Sequence, residues 1–282
     1  MDIRVLEKSK KIGYIFDISY KGSGFDAFDE MAGKVTVKGY FKEIMNSLRF
    51  TWAKGIQQGG RTDAKVNGNN CLYVSSNFNG NVQKIVSQFN EKSGDKLKIT
   101  RVRKTLPNLV FPDYVEGRKY IYRYPKKKIT KSVEEIEKLC AELSGTYDVS
   151  RFTDTKGEKL KEHIRTVNIS FENGELVFVG DSFMPKQVRI TSGYILTGEM
   201  TALPGKYLTL EKVFLKKELT ENCFVEDSTV KIENMEKVER TEDKSFYIFY
   251  TEKSKKGEVI GKNGGNIKKL RKEYGNIIVR EI

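Results

Sequence analysis

The sequence predicts an α+β protein with antiparallel sheets. In residues 13–20, Tyr14, Phe16, Ile18 and Tyr20 recur at every second position and share one face, as in a half-buried strand. Asn173 and Gly174 separate two alternating runs within residues 165–179, and this dipeptide is the strongest short signal for a hairpin. The chain has neither a regular βαβ rhythm nor a glycine-rich dinucleotide loop. We therefore expect antiparallel sheets covered by helices rather than a parallel α/β fold.

Three amphipathic helices are predicted between the strands. Apolar residues recur at helical spacing in residues 37–48 and again in residues 81–89. Ser132 and Glu135 have the spacing of a capping box and begin a third helix, which Gly145 is expected to end. Strands and helices thus alternate along most of the chain.

Composition narrows the function classes. The 282 residues leave room for two domains. No apolar run of about 18 residues occurs, and the N-terminus lacks the pattern of a signal peptide, so we expect neither a membrane span nor secretion. The three cysteines are far apart and odd in number, which favours a reducing cytoplasm over a disulfide framework. The single histidine, His163, argues against a zinc site or a catalytic triad, and no metal or cofactor is predicted.

The charge balance points to a polyanion as partner. Lys and Arg number 51 against 38 acids, giving a net charge of +13 and a pI near 9.4. A basic surface attracts nucleic acid, although an ordinary lysine-rich soluble protein has the same balance. Residues 116–131 carry seven basic side chains and one acid, and residues 251–282 carry nine and four. Residues 218–245 invert the balance, with nine acids and four basic side chains.

This acidic stretch predicts a domain boundary near residues 222–228. We expect one domain in residues 1–220 and a smaller one in residues 228–282. The apolar patterns on either side look separate, so the stretch is interpreted as a linker between two independent cores.

One short loop carries the residues best suited to chemistry. Residues 59–68 read GGRTDAKVNG, with glycines at both ends and a strand-like CLYV behind them. Taken alone, Arg61 and Asp63 in such a loop are more typical of a structural Asx-turn than of an active site.

The surrounding sequence resembles the TruA family of tRNA pseudouridine synthases over about the first 215 residues. GGRTDA is similar to the family's GRTDA signature, and RKYIYRY to its basic strand with a YxY pattern. The chain departs from the family pattern at residues 27–29 and 65–68. The similar segments, in order, are YKGSGFDAFDE, TVKGYFKEIMNSL, GGRTDA, RKYIYRY, GTYDVSRFT, IRTV and FMPKQVRITSGYILTGEM.

This resemblance implies a fold, a reaction and a set of residues. The fold would be two ferredoxin-like halves that share an antiparallel sheet, and the protein would be a homodimer. Asp63 would be the catalytic carboxylate, Tyr120 the aromatic that holds the uracil, and Arg189 the cation that pairs with Asp63 through two hydrogen bonds. Arg61 would occupy the space that the target base leaves when it flips out of the RNA.

The C-terminal region resembles a KH RNA-binding domain. Residues 246–250 read as a strand, and two helices enclose the GxxG loop formed by Gly261, Lys262, Asn263 and Gly264. In KH domains this loop clamps the backbone of about four nucleotides. A plain helical hairpin with a glycine turn is the alternative.

The sequence therefore predicts an isomerase that converts uridine to pseudouridine in a structured RNA, tRNA or another, with an added KH-like module. The alternative is a non-catalytic RNA-binding protein or RNA chaperone that retains the synthase fold. Retention of Asp63, Tyr120 and Arg189 favours the enzyme.

Overall fold

A nine-stranded sheet dominates the computed structural model, which describes residues 11–78, 80–154 and 162–282. The strand order is β4-β1-β3-β9-β5-β8-β7-β6, and the short β2 pairs with β3. The predicted α+β class is confirmed. The strands are β1 Ile12–Tyr20, β2 Gln57–Gln58, β3 Asn67–Ser76, β4 Leu97–Thr105, β5 Val115–Tyr122, β6 Gly145–Asp148, β7 Ile164–Glu172, β8 Glu175–Gly180 and β9 Leu208–Leu215.

Four helices cover one face of this sheet. Helices α1 (Val37–Ser47) and α2 (Val82–Ser93) pack against β1, β3 and β4. Helices α3 (Val133–Glu142) and α4 (Gln187–Thr197) pack against the strands from β9 to β7. Each pair buries an aromatic and aliphatic cluster of its own, so the sheet is shared but its two halves have separate cores on this face.

The same strand order occurs twice. The first half is arranged β4-β1-β3-β2 and the second β9-β5-β8-β7, with β6 added at the edge. The halves meet where β3 lies beside β9. This junction is parallel, with Asn67 opposite Thr209 and Gly68 opposite Leu210, and it corrects the expectation of a wholly antiparallel sheet. The second half repeats the strand order of the first and has its helices on the same face of the sheet. For this reason β3 and β9 run in the same direction where they meet.

Several local predictions are confirmed. The hairpin turn between β7 and β8 has φ of 53° at Asn173 and 83° at Gly174, the positive values that a two-residue type I′ turn requires. Ser132 and Glu135 form the expected capping box at the start of α3. The predicted end of that helix at Gly145 is wrong: the helix ends at Glu142, and Gly145 already belongs to β6.

A second sheet forms the C-terminal region. Its order is β10-β11-β12-β13, with β12 and β13 parallel. The predicted succession of strand, helix, GxxG loop, helix and strand is present. The elements are α5 Lys217–Cys223, β10 Val225–Asp227, β11 Lys237–Thr241, β12 Phe246–Thr251, α6 Lys256–Ile260, α7 Gly265–Tyr274 and β13 Asn276–Glu281.

The two sheets share a buried core, and the expectation of two separate apolar patterns is wrong. Ile15 and Tyr73 on the uncovered face of the large sheet pack in one cluster with Phe246, Ile248 and Tyr250 of β12. All six residues of β12 are buried, because its odd-numbered side chains face α7 while its even-numbered ones face the large sheet. A continuous apolar run is typical of a strand buried on both faces.

The acidic stretch is therefore structured rather than a linker. Helix α5 and strand β10 occupy residues 217–227, and Leu219 is fully buried in the shared cluster. The Leu106 amide donates to the Cys223 carbonyl at 2.8 Å, which ties the stretch to the end of β4. The boundary placed between residues 220 and 228 stays a prediction.

A buried ion pair crosses the same interface. Glu239 on β11 is 3% exposed and accepts from Lys104 on β4 at 2.7 Å. The Tyr250 hydroxyl donates to the same carboxylate at 2.7 Å, and Lys237 approaches it at 2.8 Å. Burial favours the neutral acid, but these partners outweigh it and hold the pKa of Glu239 below its ordinary value.

Among the described residues, no helix has the length and apolar character that crossing a membrane requires.

We predict that Glu239→Gln destabilises the protein by about 3 kcal/mol at neutral pH, because it leaves Lys104 without its buried counter-ion. Since the pKa of Glu239 is lower in the folded protein than in the unfolded chain, its stabilisation is complete above about pH 4.5 and is lost as the pH falls through the folded value. Thermal unfolding of both proteins from pH 3 to 8 measures this difference.

The matched control is Glu226→Gln, which removes an exposed partner of Arg240 and should change stability by less than about 0.5 kcal/mol. A gap between wild type and Glu239→Gln that stays constant down to pH 3 would contradict the prediction.

Candidate active site

The loop between β2 and β3 is held by both halves of the sheet. Arg118 on β5 donates from Nε to the Gly59 carbonyl at 2.9 Å. Asn70 on β3 donates to the Gly60 carbonyl at 2.8 Å, and the hydroxyls of Tyr20 and Thr62 lie 2.8 Å apart. These bonds hold the loop on the N-terminal side of Asp63.

Asp63 and Arg189 form an ion pair across the junction of the halves. Arg189 lies in the first turn of α4 and donates from Nη1 to Asp63 Oδ2 at 3.0 Å. The expected pair of parallel hydrogen bonds is wrong, because the Arg189 Nε donates instead to the Leu203 carbonyl at 2.6 Å. Within the described part of the chain, Asp63 Oδ1 accepts no hydrogen bond, so one carboxylate oxygen is held and the other is available.

Tyr120 lies beside this pair on β5. Its side chain is 6% exposed and packs edge-to-face on Phe183, with ring centres 5.2 Å apart. Burial raises the pKa of its phenol to about 12; Arg118 opposes the rise and Asp63 adds to it. No described residue forms a hydrogen bond with the hydroxyl. At neutral pH Tyr120 is thus a protonated phenol with an unoccupied hydrogen-bonding group.

The three predicted residues line one cleft. Its volume is about 290 Å³, and Thr62, Phe183 and Gln187 contribute to the same walls. Small-molecule sites usually measure about 300–1,000 Å³, so this cleft suits a single base rather than a large cofactor. Carboxylate, guanidinium and phenol converge here from three separate segments of the sequence.

Arg61 lies at the rim of the cleft. Its side chain is 74% exposed and approaches Asp29 at 3.8 Å. Asp29 also pairs with Lys38 at 3.1 Å. This position suits a side chain that moves to contact RNA, since a weak surface ion pair costs little to break.

Two further cleft residues were missed by the sequence analysis. Phe183 supports the ring of Tyr120, and Gln187 is a glutamine that is only 3% exposed. Phe183 lies in a segment that carries the TruA resemblance, but nothing in that pattern separates a supporting ring from a core residue. A polar residue at the start of an apolar helix was the signal for Gln187.

The GxxG loop is well formed but lies outside the cleft. Gly261 has φ of 72°, and a Cβ there would meet the Asn266 amide nitrogen at 2.9 Å, so glycine is required. Lys262 and Asn263 are exposed. Gly264 precedes α7 without a side-chain cap, which leaves backbone N–H groups of its first turn open to an anion.

The comparisons with known proteins identify the C-terminal region. Residues 212–281 match the family model described as the KH domain, so the predicted C-terminal module is a KH domain. The match starts inside β9 and includes the acidic stretch. No curated protein matches the chain.

Similarity to solved structures is low. A Cbf5-Nop10-Gar1 complex aligns with a TM-score of 0.36 at 12% identity, covering 78% of this chain and 54% of that chain. An archaeal box H/ACA sRNP Nop10-Cbf5 complex gives a TM-score of 0.35 at 12% identity, covering 78% and 53%. The chain thus spans about half the length of the chains it aligns with. TM-scores this low carry no argument about activity.

We predict different stability effects at two neighbouring tyrosines. Tyr122 is fully buried and its hydroxyl donates to the Pro204 carbonyl at 2.9 Å, so Tyr122→Phe should cost about 1–2 kcal/mol. Tyr120→Phe removes a hydroxyl without a described partner and should stay within about 0.5 kcal/mol of wild type. Urea unfolding of the two variants tests this, and equal losses would mean that the Tyr120 hydroxyl has a structural role.

Proposed function

We propose that this protein is an RNA pseudouridine synthase of TruA type that acts on uridine in a structured RNA. The observation that carries the proposal is the Asp63 carboxylate, held at one oxygen by Arg189 and open at the other, beside Tyr120 in a base-sized cleft. The repeated β4-β1-β3-β2 and β9-β5-β8-β7 order supports two ferredoxin-like halves. A tRNA or other structured RNA as substrate, a homodimer and a cytoplasmic location belong to the same proposal.

The reaction needs few groups. The bond between uracil N1 and ribose C1′ breaks, the uracil rotates, and a bond forms between C5 and C1′. The C5 proton is then lost and N1 gains one, so atoms balance without an oxidant or reductant. An ionised carboxylate at the ribose acts as nucleophile or base, and Asp63 supplies it.

Arg189 holds that carboxylate in place. Its guanidinium donates to one carboxylate oxygen and supplies a counter-charge beside it. The side chains of Arg189 and Asp63 are 15% and 30% exposed, so the pair is partly shielded from water even before RNA binds. Bound RNA would exclude more water and strengthen the attraction.

Tyr120 provides a surface for the uracil. A flipped base is commonly held by stacking on an aromatic side chain. The raised pKa of the phenol argues against a phenolate that removes the C5 proton at neutral pH, and favours the stacking role.

The KH domain supplies affinity for RNA in this proposal. The large sheet separates it from the cleft: Tyr120 faces the helices, whereas the KH strands pack on the opposite face around Ile15. An RNA that contacts both sites must pass around an edge of the sheet. A short stem-loop would then use the cleft alone, and a longer RNA would use both.

The rival proposal is a non-catalytic RNA-binding protein, favoured by the fact that the family match covers only the KH region. Activity separates the two proposals. Pseudouridine mapping in total RNA with and without the gene identifies the target, and an RNA containing the mapped uridine then serves as the substrate for the purified protein.

We predict that Asp63→Asn lowers turnover of that RNA by about 10³-fold or more, with RNA affinity within a few-fold of wild type, because an amide keeps the shape but is not a nucleophile or base. Asp95→Asn, at an exposed carboxylate outside the cleft, is the control and should keep full activity. Residual turnover above a few per cent in Asp63→Asn would remove Asp63 from the mechanism.

We predict that the double variant Lys262→Asp with Asn263→Asp weakens binding to long RNA and reduces the salt slope of binding by about one unit, while turnover of a short stem-loop stays near wild type. The matched control is Lys244→Asp with Ser245→Asp, which makes the same charge change in the turn before β12, at the far end of α7. Equal affinities of the two double variants for long RNA would make the GxxG loop a structural turn.

A further inference from the structure

Gln187 presents a fixed hydrogen-bond donor to the cleft. The residue is 3% exposed and lines the same space as Asp63 and Tyr120. Its Oε1 accepts from the Met184 backbone N–H at 2.8 Å. This bond sets the orientation of the amide, because a reversed side chain would place two donors against each other.

The Gln187 Nε2 group has no partner within the described residues. Nε2 is nevertheless not one of the polar atoms in those residues that lack both solvent contact and a hydrogen-bond partner. The NH₂ group therefore reaches the open space of the cleft, where a ligand would meet it. A buried amide left with two free N–H groups would be costly unless an acceptor arrives.

The backbone next to Gln187 also presents hydrogen-bond donors. Gln187 begins α4, and Lys186 before it provides no side-chain cap. The described residues provide no acceptor for the N–H groups of Val188 and Arg189, although the next amide, Ile190, bonds to the Lys186 carbonyl. With the positive end of the helix dipole, this wall of the cleft offers donors to a ligand acceptor.

We infer that Gln187 selects uracil over cytosine by donating a hydrogen bond from Nε2 to the C4 carbonyl of the target base. This inference rests on the proposed function and names the part of the substrate that the cleft reads. Uracil has carbonyl acceptors at both C2 and C4, whereas cytosine has an amino group at C4. A cytosine amino group facing this wall would place one hydrogen-bond donor against another. Enzymes recognise flipped bases through such contacts.

The same donor suits substrate and product. When the detached uracil turns about the axis through N3 and C6, N1 and C5 exchange places, and so do the C2 and C4 carbonyls. A donor that held one carbonyl before rotation meets the other afterwards. Gln187 thus holds the ring without preferring either orientation.

A purely structural role makes a different prediction. If Gln187 only satisfies the Met184 N–H, then Gln187→Glu, which keeps that acceptor but loses the donor, should leave base preference unchanged. Gln187→Met removes both groups at similar size and without adding charge. Ser192→Ala is the matched control, since Ser192 is a fully buried polar residue on the same helix outside the cleft.

The test is the ratio of dissociation constants for cytidine 5′-monophosphate and uridine 5′-monophosphate, measured by calorimetric titration of the full chain. We expect wild type and Ser192→Ala to prefer the uridine nucleotide by roughly 10-fold, the effect of one hydrogen bond with its unpaired donor. Gln187→Glu and Gln187→Met should both bring the ratio close to one. An unchanged ratio in both variants, or no binding of the uridine nucleotide to wild type, overturns the inference.

A second measurement needs no variant. Sulfur is a weaker acceptor than oxygen, so 4-thiouridine monophosphate should bind wild type several-fold more weakly than the parent nucleotide, whereas 2-thiouridine monophosphate should bind like the parent. Equal binding of all three overturns the inference even if the variants fold poorly. These ratios require no turnover: a missing uridine preference refutes the role of Gln187, whereas absent pseudouridine formation with the preference intact refutes the proposed function.

Discussion

The ion pair between Asp63 and Arg189 is the constraint around which the cleft is built. Its two groups come from different halves of the sheet and are 126 residues apart in sequence. They meet because β3 and β9 lie side by side and bring the Asp63 loop beneath the first turn of α4. Gly205 lets the chain before β9 approach this loop, since a Cβ there would lie 2.5 Å from the Ala64 carbonyl oxygen. The parallel junction, a departure from the sequence expectation, is thus what assembles the site.

A shared buried core, rather than a flexible linker, attaches the KH domain to the large sheet. One face of its sheet packs on its own helices, and the other packs on Ile15 and Tyr73 of the large sheet. The buried Glu239 carboxylate also forms an ion pair with Lys104 across this interface. Buried ion pairs contribute little net stability but penalise misalignment strongly, because a partner displaced from the pair leaves an uncompensated charge. The position of the GxxG loop relative to the cleft is therefore fixed by packing.

Sequence reasoning succeeded where one local pattern determines the outcome and failed where two faces of one element have different partners. The Asn173-Gly174 hairpin, the capping box at Ser132 and the order of KH elements follow from short-range rules, and the structure reproduces them. The ordered motifs also named the three side chains that converge in the cleft, although their catalytic roles stay predictions. The docking of the KH domain was missed because the pattern of β1 was interpreted on one face only, which left Ile15 unexplained. Which Arg189 nitrogen faces Asp63 depends on the Leu203 carbonyl, and no sequence spacing encodes that bond.

Hydrogen-bond donors and acceptors occupy different walls of the cleft. The α4 side of the cleft presents hydrogen-bond donors. These are the Gln187 amide, the Arg189 guanidinium and two backbone N–H groups that have no acceptor among the described residues. The acceptor is the negatively charged Asp63 carboxylate, through the oxygen that Arg189 does not contact. A neutral base with carbonyl groups fits the donor wall, and its carbonyl oxygens would be repelled by a carboxylate placed there. The Arg189 bond holds Asp63 Oδ2, and in the proposed reaction the other carboxylate oxygen would face the sugar. The burial that raises the pKa of Tyr120 keeps its phenol uncharged at neutral pH, so this part of the wall adds no ion to the cleft. In the proposed reaction, donors for the base and an anion for the ribose would thus occupy separate walls, an arrangement that can hold a ring and still let it turn.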